Sequence, residues 1–237
     1  GIDQESLVRP FVKRVATLRA PEQLPAMLNT LIKTATTGRP GPVALIIAQD
    51  LFDTEIRPGD INAFINPMYG RFPVERSLPD PRDVETAAEA LLSAKLPVIV
   101  AGGGIHISQA CQEVQELAEL LTIPITTTFS GRGTVPDNHP LSLGLLGNMG
   151  TGSARQAAYE ADLLLMIGYK SGMNSTMTWA LPSPHQRVIH LDVDGAEIGK
   201  VFPTEVGLVG DAKLGLQALI DAVHERIADE EPSYERM

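Results

Sequence analysis

Between residues 81 and 228 short apolar runs alternate with amphipathic stretches, and this alternation admits very few folds. The spacing predicts helices over 83–95, 108–121, 151–160 and 212–227. Val84, Ala87, Ala88, Leu91 and Leu92 make the apolar stripe of the first. Between them the runs 97–101, 123–127, 162–167, 188–193 and 206–209 predict buried strands. Strands that are apolar throughout need cover on both faces, which helices supply in βαβ units around a parallel sheet. The expectation is an α/β domain with a doubly wound parallel sheet. In such sheets ligands bind beyond the carboxyl ends of the strands, so the strand-end loops are where chemistry is sought.

The first third of the chain reads differently. Leu24, Met27, Leu28, Leu31 and Ile32 fall at helical spacing in 21–36, Thr37 to Pro42 breaks the helix, and 43–47 predicts a buried strand. Over 51–80 no period holds, and Pro58, Gly59, Asn62, Asn66, Pro67, Gly70, Pro73 and Pro79 mark an irregular connection. Loops of that length are unusual inside one compact domain, so a linker is expected there. The expected organisation is 1–50, a linker over 51–80, a domain over 81–228 and a solvated charged tail over 229–237.

Charge and cysteine usage remove whole classes. With 19 Lys+Arg against 29 Asp+Glu the chain carries a net charge of −10 and shows no basic cluster, which argues against a nucleic-acid partner. One cysteine, Cys111, permits neither an intramolecular disulfide nor a Cys-rich zinc site and suits a reducing cytoplasm. The longest apolar stretches fall far short of the roughly 20 residues that cross a bilayer, so no membrane partner is expected. The start, Gly-Ile-Asp-Gln-Glu-Ser, lacks the marks of a signal peptide.

Gly102-Gly103-Gly104 follows a strand and precedes a helix, where backbone amides can cradle a phosphate. The third glycine of a dinucleotide fingerprint is missing, and strand 123–127 lacks an acid to grip a ribose, which disfavours NAD. Ligand contact and a tight strand-to-helix turn are equal readings of this loop. A second cluster, Gly144 to Gly152, opens a helix but has no following lysine, so it is not a Walker loop. Asp192 and Asp211 stand near strand ends, where either can accept from ribose hydroxyls or an exocyclic amine; for Asp211 a helix N-cap is the stronger reading. The five histidines show no metal-binding spacing and no G-x-S-x-G elbow exists. Cys111 reads as core rather than nucleophile, and Trp179 as core or pocket wall. These residues imply a ligand-binding domain without a catalytic constellation.

Several stretches carry a family resemblance. Gly38-Arg39-Pro40-Gly41-Pro42-Val43, the run Pro97 to Gly104, and Ile123-Pro124-Ile125-Thr126-Thr127-Thr128 resemble acetolactate synthase and related thiamine-diphosphate enzymes. The likeness continues through His139 to Gly147, Ala161-Asp162-Leu163-Leu164, Ile189 to Asp194 and Val209-Gly210-Asp211-Ala212-Lys213. Such enzymes have a pyrimidine-binding, a central and a pyrophosphate-binding domain. The resemblance makes 81–228 the six-stranded, Rossmann-like central domain and 1–50 the last helix and strand of the pyrimidine-binding domain. It places the catalytic glutamate before Gly1, and the motif for magnesium and diphosphate after Met237, since Gly210-Asp211-Ala212 is not that motif. Thiamine diphosphate and Mg then belong to the full-length parent, together with the two missing domains and a homo-oligomeric assembly. The parent is expected to form or cleave a carbon–carbon bond beside a carbonyl, in a 2-oxo acid or similar substrate, with no catalytic residue and no metal ligand on this chain.

In acetolactate synthases the central domain carries FAD without a redox role, and relatives place ADP there or nothing. Position by position, the resemblance sets the nucleotide against Gly103, Gly104, Thr128, Phe129, Leu146, Gly147, Asn148, Met149, Gly168, Tyr169, Lys170, Asp192, Val193, Asp211 and Ala212. Lys170 stands where these synthases typically carry arginine, which loosens a diphosphate contact. The alternative is a non-catalytic scaffold whose nucleotide site has decayed.

Overall fold

The computed structural model describes residues 2–57, 59 and 66–229. The chain divides into two compact units, Gly1–Glu75 and Arg76–Met237, with the division inside the predicted connection. Part of that connection (58 and 60–65), and the predicted tail from 230 onward, lie outside the described residues.

The small unit is built from α1 (Gln4–Val8), β1 (Arg14–Leu18), α2 (Leu24–Thr36) and β2 (Val43–Ile47). β1 and β2 pair in parallel with α2 between them in sequence. The Lys13 ammonium donates to the Thr37 and Arg39 carbonyls, both at 2.9 Å, and fixes the turn around Gly38. The sequence pattern predicts β2 and α2 but not β1. Arg14 and Thr17 interrupt its apolar character, and only Leu18 is buried.

The large unit contains α3 (Pro81–Ser93), β3 (Pro97–Ala101), α4 (Gly104–Ser108), α5 (Cys111–Leu121), β4 (Ile125–Thr127) and β5 (Ser142–Leu145). The chain continues through α6 (Gly152–Glu160), β6 (Leu163–Ile167), β7 (Arg187–Asp192), β8 (Val206–Val209) and α7 (Ala212–Asp229). Asp80 starts α3 by accepting from the Arg82 amide at 2.9 Å, with Pro81 at the first helical position, where its missing N–H costs nothing. The six strands pair in parallel in the order β5-β4-β3-β6-β7-β8. This is the doubly wound architecture that the alternation predicts. The chain winds outward from β3 to β5, returns to β6 and winds the other way, so the order reverses between β3 and β6. That reversal opens the crevice in which such sheets bind ligands.

The two faces of the sheet bury different helices. Ile99, Ala101, Leu165, Ile167, Ile189 and Leu191 pack with Val84, Leu91, Leu117 and Leu219 of α3, α5 and α7. Val98, Val100, Leu164, Met166 and Val188 face Ala158 of α6 and the Tyr169, Met177 and Leu181 side chains of the segment after β6.

Three elements depart from the pattern reading. The helix predicted over 108–121 starts at Cys111 as α5, because Ser108 ends a separate short helix, α4, that Gln109 caps in a left-handed conformation (φ 58°). β4 begins at Ile125 rather than 123; Pro124 has no N–H to add to the ladder, although its carbonyl accepts from Ile99 at 2.9 Å. β5 is not predicted; it runs into the second glycine cluster, at the sheet edge, with its four residues half-buried and Gly144 at φ 86°.

Candidate functional site

β3 and β6 lie side by side, and their exit loops, Gly102-Gly103-Gly104 and Gly168-Tyr169-Lys170, define the crevice at the reversal. The two backbones are in contact. The Gly102 amide donates to the Ile167 carbonyl at 2.8 Å, and the Gly104 amide to the Gly168 carbonyl at 3.1 Å. A Cβ on Gly102 would lie 2.0 Å from the Gly168 oxygen, and one on Gly104 2.6 Å from the Gly168 Cα. A Cβ on Gly103 would meet the Ser130 side chain at 2.8 Å. Of the two readings left open by the sequence, the tight turn accounts for Gly102 and Gly104, whose amides are engaged by the chain itself.

The other candidates occupy the same carboxyl edge. Thr128 accepts from the Gly131 amide through its hydroxyl at 3.1 Å and turns the chain so that Phe129 stands 54% exposed. Leu146 is buried, whereas Met149, three residues on, is 70% exposed. Gly147 (φ 128°) lets the 146–149 loop pack on the segment after β6, where the Asn148 amide donates to the Asn174 carbonyl at 2.9 Å. Tyr169 turns inward, and burial pushes its phenol up to about 12 against the opposing Ser175 hydroxyl. Lys170 is exposed, and its ammonium has no partner among the described residues. Asp192 ends β7 and accepts from the Asp194 amide at 2.9 Å, with Val193 half-buried beside it.

Asp211 and Ala212 stand apart from these. The Asp211 carboxylate is buried and accepts from Arg76 at 2.6 Å and from the Ser108 hydroxyl at 2.8 Å. It also accepts from the amides of Lys213 and Leu214 at 3.2 and 3.3 Å, which makes it the N-cap of α7, and Ala212 is buried in the first turn. Both oxygens are engaged, so Gly210-Asp211-Ala212 does not fit magnesium or a diphosphate. Among the described residues no group of three or more His, Cys, Asp or Glu is placed to hold a metal. The Cys111 thiol sits 3.7 Å from His106 Nδ1, and burial with the Glu113 charge nearby pushes its pKa up, which keeps it protonated.

A further cleft was not anticipated. Asn148, Gly152, Arg155, Tyr159 and Met177 line a volume of about 490 Å³. Gly152, Arg155 and Tyr159 share one face of α6 at spacings of three and four. That spacing is readable in the sequence, yet no glycine or acid motif draws attention to it. The opposite wall is unusual. Met177, Thr178 and Trp179 are three successive non-glycine residues with φ of 50°, 59° and 61°. Each such residue costs about 1–2 kcal/mol. The turn is held by the Thr176 hydroxyl, which accepts from the Trp179 amide at 3.1 Å, and by the Thr178 amide on the Met173 carbonyl at 2.8 Å.

His190, on β7, lies beneath this region. It is fully buried, its Nε2–H donates to the Tyr169 carbonyl at 2.9 Å, and it stacks on Phe202. Burial pushes its pKa down, opposed by that carbonyl and by Glu197. A histidine held neutral stabilises the fold above its unfolded pKa of about 6.5, and the stability is lost as pH falls below it. Urea unfolding across pH 7.5 to 5 is therefore expected to show a decline, at most about 1.4 kcal/mol per pH unit from this group, that is shallower in His190→Gln. Equal slopes in the two proteins would contradict the buried neutral assignment.

The six-stranded parallel architecture agrees with what the chain is similar to. The family model described as thiamine pyrophosphate enzyme, central domain, matches residues 84–219. A probable acetolactate synthase large subunit of Methanocaldococcus jannaschii is 37% identical over 100% of this chain and 40% of its own length. The acetolactate synthase large subunit of Corynebacterium glutamicum is 34% identical over 97% of this chain and 36% of its own length. A glyoxylate carboligase of Escherichia coli O157:H7 is 31% identical over 95% of this chain and 37% of its own length. The chain thus spans about 40% of the length of the curated relatives it matches. It belongs to the acetolactate-synthase-like thiamine pyrophosphate enzymes, and residues 84–219 are their central domain.

Proposed function

We propose that the carboxyl edge of the large sheet binds an adenine nucleotide, ADP or FAD, and that the parent protein forms or cleaves carbon–carbon bonds in 2-oxo acids. The observation that carries the nucleotide reading is the reversal between β3 and β6, around which Phe129, Met149 and Trp179 are 54%, 70% and 57% exposed. Exposed apolar side chains of that size in the segments that follow the strands suit the planar rings of a nucleotide. In this reading Lys170 meets the diphosphate, Asp192 with Val193 lies against the ribose, and the loops of Thr128, Phe129 and Leu146 to Met149 wall the site. Asp211 and Ala212 support it only as the cap of α7. Bound nucleotide supplies a rigid wall and, in the FAD case, no electron transfer. Thiamine diphosphate and magnesium would be held by the pyrimidine- and pyrophosphate-binding domains of the parent, in a homo-oligomer. No helix among the described residues is long and apolar enough to cross a membrane.

One observation favours the decayed-scaffold reading: the amides of Gly102 and Gly104 are engaged by β6 and its exit loop. Thermal unfolding of the 237-residue chain with FAD, ADP or coenzyme A separates the two. A rise of several degrees with one of them is the expected result; no rise with any of the three would favour the scaffold.

A further inference from the structure

We propose that the diphosphate of this nucleotide is held in the cleft along α6, with Arg155 as its principal ligand, rather than by the glycine turn after β3. The proposal rests on the nucleotide reading above and adds where the anion sits.

The chain has ten more acids than bases, and among the described residues of the large unit five of the six arginines are tied to carboxylates, Arg132 to Asp137 among them. Arg76 meets Asp211, Arg82 meets Asp80, Arg187 meets Glu205, and Arg226 meets Glu85 and Glu89. The Arg155 guanidinium has no hydrogen-bond or ion-pair partner among the described residues, and it lines a concave surface that holds no carboxylate. The cleft, about 490 Å³, falls within the roughly 300–1,000 Å³ range of small-ligand sites. A planar fork of donors matches phosphate oxygens two at a time, and Tyr159 on the same face of α6 offers an aromatic wall.

The facing wall supports the assignment. Met177 begins the left-handed turn that runs to Trp179, and the Asn148 side-chain amide donates to the Thr178 hydroxyl at 3.4 Å, linking the turn to the loop before α6. Strain of this kind is concentrated at ligand clamps. Two of the three amides of the conventional cradle are taken, since Gly102 and Gly104 already donate to Ile167 and Gly168. Lys170, exposed at the end of β6, is the second unpaired cation on this edge.

The test is isothermal titration of the 237-residue chain with inorganic pyrophosphate, ADP and adenosine, repeated on Arg155→Gln and Arg155→Lys. Arg155 is exposed, so both variants should keep the unfolding midpoint of the parent sequence. Expected is a loss of about tenfold or more in pyrophosphate and ADP affinity in Arg155→Gln, an intermediate loss in Arg155→Lys, and unchanged adenosine binding. Pyrophosphate and ADP binding Arg155→Gln as tightly as the parent sequence would overturn the proposal and leave the nucleotide reading intact. Pyrophosphate binding that depends on Arg155, with ADP no tighter than pyrophosphate, would uphold the anion site and overturn the nucleotide reading. Absence of pyrophosphate binding to the unaltered chain would overturn the proposal outright.

Discussion

Gly168→Ala is expected to remove most of the stability of the large unit, by about 4 kcal/mol or more of the roughly 5–15 kcal/mol that a domain possesses. Two effects combine. Gly168 has φ 56°, which costs a side-chain-bearing residue about 1–2 kcal/mol. The new methyl would also lie 2.5 Å from the Gly104 Cα and 2.8 Å from the Gly104 nitrogen. These are backbone atoms, so relief requires the loops after β3 and β6 to part. Those strands pair over five residues, Pro97 with Leu163 through Ala101 with Ile167, and nine of the ten are buried. Gly102→Ala should act alike, since its Cβ would meet the Gly168 oxygen at 2.0 Å. Gly172→Ala, with nothing within 4 Å of the added carbon, should shift stability by no more than about 0.5 kcal/mol. Urea unfolding of the three variants reads the difference; a Gly168→Ala midpoint near that of Gly172→Ala would contradict the closed-turn geometry.

The second large effect is expected at Asp211. Asp211→Ala removes the acceptor for Arg76, for Ser108 and for two amides of α7. Stranding a charge in a buried pair costs about 3–5 kcal/mol, and losing an N-cap about 1. Arg76 keeps 22% of its side-chain surface in solvent and retains the Ser108 carbonyl at 2.7 Å, which lowers the figure. About 2–4 kcal/mol is the expected loss, with Asp211→Asn near half of it because an amide oxygen still caps the helix. A double-mutant cycle with Arg76→Ala measures the pair itself. Additive losses would mean that Arg76 and Asp211 do not interact.

How much of this was legible in the sequence follows from what each residue does. β3 and β6 were readable because they are buried on both faces, and such strands cannot avoid being apolar throughout. β1 and β5 were not. Each is only partly buried, so polar residues and a glycine are tolerated and the run looks like loop. The break at Gln109 is not legible either, since the left-handed cap that ends α4 is taken here by a glutamine and not by the glycine that usually marks it.

The site divides the same way. Strand-end loops can be located from the alternation, which gives Gly102 to Gly104, Gly168 to Lys170 and Asp192. Whether a glycine there admits a ligand or another backbone is a three-dimensional property, and for Gly102 and Gly104 the neighbour is Gly168. Asp211 carried both a cap and a ligand reading; Arg76, 135 residues away, occupies one of its oxygens. Arg155 gave no sequence signal, because its distinction is the lack of a partner, which only the folded chain reveals.

Amide hydrogen exchange of the 237-residue chain with and without ADP reads directly whether the carboxyl edge of the six-stranded sheet is a nucleotide site. Added protection is expected at 128–129, 146–155, 168–179 and 192–193 alone, with the opposite edge of the sheet unchanged. Protection at the amino ends of the strands instead, or none at saturating ADP, would contradict it.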